Sequence, residues 1–179
     1  VLLLLVLFAF GSCSFTSKVD NDPNKDKLLI QIITMAMEQL HYEPKDINDA
    51  FSKEVYNDFI EAVDPFKRYF LKEDLQKFKA YELEIDDQLK SYDISFFNLV
   101  HEKLISRQAE AKAYYQTILD KPFDYSIKES FNADYEKKAF ATNKKELKDR
   151  WRQQLKFSSL VIYDDLIAQR KEENKPDAT

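Results

Sequence analysis

From Lys25 onward, apolar residues recur every three or four positions in runs punctuated by proline, the period of helices that bury one face. Leu28, Leu29, Ile32, Ile33, Ala36, Met37 and Leu40 predict a helix from about Lys25 to His41, opened by Asp22 and Pro23 as cap and first-turn pair and ended before Pro44. A second helix, capped by Asp46 or Asn48, places Phe51, Val55, Phe59, Ile60 and Val63 on one stripe. Pro65 ends it near Val63, because proline lacks a backbone donor and turns Asp64 away from helical angles. Phe66, Tyr69 and Phe70 then crowd three rings into a short connection, so Ala62 to Phe78 reads as a corner that docks on a core. Glu73 and Asp74 suit the first turn of the next helix, where exposed amides favour negative charge. That third helix is expected from about Lys72 to Ser91, with Leu75, Phe78, Ile85 and Leu89 inward and Lys79, Glu82 and Asp86 on the wet side.

Asp93 is the expected cap of a fourth helix from Ile94 to about Leu119, roughly 39 Å long at about 1.5 Å per residue. Its apolar positions, Phe97, Val100, Leu104, Ala111, Tyr115 and Ile118, drift round the surface and suit globular packing rather than a coiled coil. Pro122 stops it. From Phe123 to Ala141 the helical period disappears, which predicts an ordered, mostly extended connection wrapping the bundle through Phe123, Tyr125, Phe131, Tyr135 and Phe140. Connections this long are uncommon in compact domains, which leaves this one either functional or misassigned. Asn143 with Glu146 three residues on opens the last helix as a capping-box variant. Leu147, Trp151, Leu155, Leu160 and Val161 form its buried side, with a break near Phe157-Ser158-Ser159. Lys171 to Thr179 reads as a charged linker. The fold class is all-α: an irregular multi-helix bundle over residues 25–170 with an extended aromatic-rich connection.

The N-terminal segment has a different character. Val1 to Phe10 is continuously apolar but shorter than the ~20 residues a spanning helix needs. It reads as the hydrophobic region of a secretory signal whose initiating Met and positive residues lie upstream. Phe10-Gly11-Ser12-Cys13 is similar to a bacterial lipobox, with Cys13 as the lipidated residue, though Leu is more usual at the first position. Residues 1–24 are therefore expected to be a lipoprotein-type signal segment and linker. The protein would be exported to the periplasm or cell envelope and tethered to a membrane by its lipid.

Composition removes whole classes of activity. A single glycine, Gly11, in 179 residues disfavours phosphate cradles and tight hairpins. A net charge of −5 argues against a nucleic-acid partner. Charged residues at 33% suit helices with laced surfaces, and aromatics at 14% exceed what a small bundle needs inside. His41 and His101 stand in no metal-ligand spacing, and Glu82, Glu84, Asp86 and Asp87 point in different directions round one helix. Lys144, Lys145, Lys148, Arg150 and Arg152 around Trp151 are diluted by Glu146 and Asp149, and read as an exposed face, with phospholipid headgroups or a partner as the lesser alternatives. No metal, no cofactor and no catalytic residue is expected in this chain.

With the helices laid out, several passages resemble one family. His41-Tyr42, Asp49 to Tyr56, Val63-Asp64-Pro65-Phe66-Lys67-Arg68-Tyr69-Phe70-Leu71 and Asp74-Leu75-Gln76-Lys77-Phe78 are similar to the N-terminal domain of tail-specific proteases, the carboxy-terminal processing peptidases. Phe97-Asn98-Leu99 through Arg107 to Leu119, Lys121 to Tyr125, and Lys144 to Leu160 with Trp151 continue the likeness. The residues that carry it, Asp64, Pro65, Tyr69, Phe70, Asp74, Phe78 and Trp151, are helix-packing positions rather than chemical ones.

The resemblance implies a parent that continues into a PDZ domain and a protease core with a serine nucleophile and a lysine base, cleaving envelope proteins. This chain would be its noncatalytic N-terminal domain, inert alone, packed beside its own PDZ and protease domains. It would help shape substrate access and offer a surface to an adaptor protein. The alternative is a free-standing helical envelope lipoprotein that binds or scaffolds.

Overall fold

The computed structural model describes residues 23–40, 42 and 46–173. The chain divides into two units, 1–44 and 45–179. In the first, α1 (Pro23–Met35) passes into a π-helical turn, Ala36–Leu40. It begins two residues before the expected Lys25, because proline at the first helical position gives up no hydrogen bond. Leu28, Leu29, Ile32 and Ile33 on it are exposed. Asp22, His41, Pro44 and everything before Asp22, Cys13 included, lie outside the described residues.

The second unit holds α2 (Asp49–Val63), α3 (Lys72–Phe78), α4 (Ile85–Lys90), α5 (Ser95–Leu119) and α6 (Lys144–Glu172). The fold is all-α: none of the described residues forms a strand, and the one β-type pairing is a parallel bridge between Leu71 and Ala141. Among the described residues no helix is long and apolar enough to cross a membrane. Asn48, not Asp46, caps α2, its Oδ1 accepting from Ala50 N at 2.9 Å and Phe51 N at 3.2 Å. Asp93 is not the cap of α5: Ile94 is, with no side-chain bond, while Asp93 accepts from Ser95 N at 3.0 Å, and the helix starts at Ser95, one residue later than expected.

The core gathers Tyr56, Ile60, Phe70, Phe78, Ile85, Phe96 and Val100 from all of the first four of these helices and the corner. Phe70, Phe78 and Phe96 are fully buried, each worth about 1.5–3 kcal/mol over an exposed ring. Phe59 stands edge-on to Phe97 at 4.9 Å and Phe70 to Phe78 at 5.2 Å, the geometry in which ring edges meet ring faces favourably. A second, smaller cluster joins Leu71, Ala141 and Leu147, with Tyr114 and Trp151 against it.

Several expectations are corrected. The third helix is not continuous from Lys72 to Ser91: after Phe78 it tightens into a 3-10 turn, Lys79–Tyr81, and restarts at Ile85. The restart is set from outside the helix. Ser52 on α2 accepts from Asp86 N at 2.8 Å and donates its hydroxyl to Asp86 Oδ1 at 2.7 Å. Asp86, expected on the wet side, is therefore buried, and Lys90 reaches its other oxygen at 2.7 Å. α6 runs unbroken through Phe157-Ser158-Ser159, its Ser159 hydroxyl spending its donor on Lys156 O within the helix at 2.8 Å. Leu160 and Val161, expected inside, are exposed, as is Tyr115 on α5. Lys171 and Glu172 belong to α6 rather than to a linker.

Candidate functional site

The corner between α2 and α3 is built on Asp64. Its carboxylate is buried and accepts three successive backbone N–H groups: Arg68 at 2.7 Å on Oδ1, and Tyr69 and Phe70 at 2.9 Å on Oδ2. Pro65 makes the turn possible, and Lys67 completes it with a left-handed backbone, φ 50°. Burial pushes the Asp64 carboxyl above its ordinary pKa, against the pull of the three amide bonds. The turn turns Phe70 into the core while Tyr69 faces the Trp151 ring at 6.0 Å. Trp151 Nε1 donates to Arg68 O at 2.9 Å, tying α6 to the corner.

Asp74 works one turn further on. It accepts Leu71 N at 2.9 Å, capping α3, and holds Arg107 of α5 through two bonds, Nε to Oδ2 at 2.8 Å and Nη2 to Oδ1 at 3.0 Å. Arg107 also reaches Glu73 at 2.8 Å and Glu110 at 3.0 Å, and Glu110 in turn accepts Lys144 at the start of α6 at 2.9 Å. Burial opposes the Arg107 charge, but these carboxylates outweigh it and hold its pKa above the ordinary value. One buried guanidinium thereby ties α3 to α5, and Glu110 passes the link on to α6.

The connection is laid against this frame. Lys72 N donates to Ala141 O at 2.8 Å, and the Lys67 ammonium donates to Tyr135 O at 2.6 Å and Glu136 O at 2.9 Å. Tyr135 stands edge-on to Phe66 at 5.1 Å, and Phe131 stacks on Phe157 of α6 at 5.0 Å. Lys156 is buried beneath it, donating to Ile127 O at 3.2 Å and Glu129 at 2.7 Å. Arg152 also grips Glu129, whose pKa is lowered to about 2 by the hydrogen bonds from Arg152 and Lys156.

Two grooves flank the connection. One, of about 710 Å³, lies at the corner between Tyr56, Ile60, Phe66, Lys67, Tyr135 and Phe140. The other, of about 420 Å³, runs between the connection and α6, floored by Tyr125, Phe131, Phe157 and Leu160. Phe66 is half exposed at the rim of the first.

The residues singled out in the sequence fall into this assembly: Asp64, Pro65, Tyr69 and Phe70 form the corner, Trp151 braces it, and Asp74 and Phe78 anchor α3. Arg107, Lys67 and Ser52 were not singled out. Arg107 sits on the apolar stripe of α5, between Leu104 and Ala111, and a charge interrupting such a stripe was its one sequence signal. The basic residues around Trp151 are partly neutralised, Lys144 by Glu110, Arg150 by Glu146, and Arg152 by Glu129 and Asp149. Among the described residues no three His, Cys, Asp or Glu side chains gather as metal ligands.

A family model described as the tail specific protease N-terminal domain matches residues 33–179. Over 128 residues, 71% of this chain, the sequence is 24% identical to the tail-specific protease of Haemophilus influenzae, and the match covers 18% of that relative. The chain thus spans less than a fifth of the length of the relative it matches.

Proposed function

The chain belongs to the tail-specific protease N-terminal domain family, and from that membership we propose that it is the noncatalytic helical module of an exported serine endopeptidase that processes proteins at their carboxy-terminal ends. The Ser/Lys dyad and a PDZ domain would lie on other parts of the parent. A parental reading frame without a peptidase domain would sink this reading.

Its role is to shape which polypeptides reach the cleavage site and to present a surface to protein partners. The observation that supports this role is the corner groove, where Phe66 and Tyr135 meet at a rim that an isolated bundle would have reason to bury. An exposed ring such as Phe66, backed by the half-buried Tyr135 beside a preformed concavity, is an ordinary means of holding a protein segment. In the parent, removal of residues 17–170, and separately Phe66→Ala with Tyr135→Ala, is expected to relax discrimination against folded substrates. Unchanged cleavage of a folded substrate by both variants would dismiss the role.

The tether is proposed at Cys13. Labelled palmitate should enter the wild-type protein and be absent from Cys13→Ser; equal labelling would refute a lipid on that thiol.

A further inference from the structure

Lys67, Arg68, Lys138 and Arg150 line one cleft of about 10 Å³, between the corner, the connection and α6, together with the rings of Phe66, Phe131, Tyr135 and Trp151. No carboxylate side chain lines it, in a protein whose net charge is −5. Arg150 is paired with Glu146, and the Lys67 ammonium is occupied by two carbonyls. Arg68 has neither. Its guanidinium lies over Phe66 at 4.5 Å and near Tyr135 at 6.0 Å, and makes no hydrogen bond or ion pair among the described residues. Its Nε is buried without a partner. The charge of Asp64 acts on Arg68 but forms no hydrogen bond or ion pair with its guanidinium, and the two Asp64 oxygens accept from three backbone amides. Lys138 lies over Tyr135 at 5.2 Å and Phe131 at 5.5 Å, donating only to Asn132 O at 3.3 Å. Crowding by Arg150 and Arg68 adds to burial in holding its pKa down.

We infer that this cluster binds a carboxylate of a protein partner, presented by an acidic side chain or a chain terminus lying across the corner. A guanidinium stacked on a ring has its face covered and its edge donors in plane, the fork that matches two carboxylate oxygens. The cleft has room for about one water and not for a whole carboxylate, so the ligand's carboxylate rests at its mouth, against the guanidinium nitrogens of Arg68 other than the buried Nε. Because Arg68 and Lys138 are half-buried and lie over the rings, little reorganisation opposes binding.

Trp151, the only tryptophan, lines the cleft and reports on it by fluorescence. The 179-residue chain is titrated at low salt with an acetylated, amidated Glu/Ser peptide, its Gln/Ser counterpart, a neutral peptide with a free C-terminal carboxylate, and inorganic phosphate. A saturable change is expected with the Glu peptide or the free terminus, and the stronger of the two identifies the source. The Gln peptide should bind about tenfold more weakly, and added salt should weaken the response. Arg68→Gln and Lys138→Gln should each lose about tenfold, while Lys128→Gln, outside the cleft, changes nothing. Equal binding of Glu and Gln peptides, retention of affinity in both cluster variants, or phosphate binding as tightly as the best peptide would overturn the assignment. No protease activity enters the measurement, so it stands or falls apart from the protease reading.

Discussion

Arg107 on α5 and Asp74 on α3 form a two-pronged ion pair in which both side chains are almost wholly buried. Such a pair adds little over a well-packed apolar one, but removing one member leaves the other as an uncompensated buried charge. Arg107→Met is therefore expected to cost about 3–5 kcal/mol in urea unfolding, and the double variant with Asp74→Leu to regain part of it. A loss below about 1 kcal/mol for the single variant would show that the charge is not confined as described.

Lys67 combines a left-handed backbone with an ammonium that clamps the connection. Left-handed angles cost a non-glycine residue roughly 1–2 kcal/mol. Lys67→Gly loses the clamp but relieves the strain, whereas Lys67→Ala loses the clamp and keeps it. Thermal unfolding should rank the glycine variant above the alanine variant by about 1 kcal/mol, the reverse of their order in a helix.

Glu129 carries a pH signature. Its carboxyl ionises more readily folded than unfolded, so its pairing with Arg152 and Lys156 supports the fold above pH 4.5 and fades as pH falls toward about 2. An NMR titration of the Glu129 carboxyl should find a midpoint near pH 2, with Phe131 leaving Phe157 as the pair is lost. A midpoint near 4.5 would mean that the connection is not held to α6 through this residue.

Trp151→Phe tests the brace between α6 and the corner. It keeps a ring beside Tyr69 but deletes the donor to Arg68 O, and should cost about 1 kcal/mol. Hydrogen exchange at Tyr69 and Phe70 is the site-specific check: unaltered protection there would separate the indole from the corner.

The ends of α2 before Pro65 and of α5 before Pro122, the cap at Asn143 and the choice of Asp46 or Asn48 as cap of α2 were legible because each depends on neighbours within a few residues. So was the corner, since Pro65 and three nearby rings mark it whatever lies around them. The break after Phe78 was not legible: residues 72–91 have adequate helical spacing, and the restart at Ile85 is set by Ser52, thirty-four positions away from Asp86. Burial of Arg107 was hidden for the same reason, because its three acidic partners come from two helices and only the packed domain makes a charge on an apolar stripe tolerable.

The sequence by itself determined an all-helical chain with one sharp turn and one long aromatic connection, because hydrophobic period, proline and capping chemistry act locally. Only tertiary structure decided that Asp64 and Asp74 are buried acceptors, that Arg107 ties α3 to α5, and that Arg68 and Lys138 line one cleft without a carboxylate. Those outcomes depend on which groups are removed from water together, and no stretch of the chain carries that information alone.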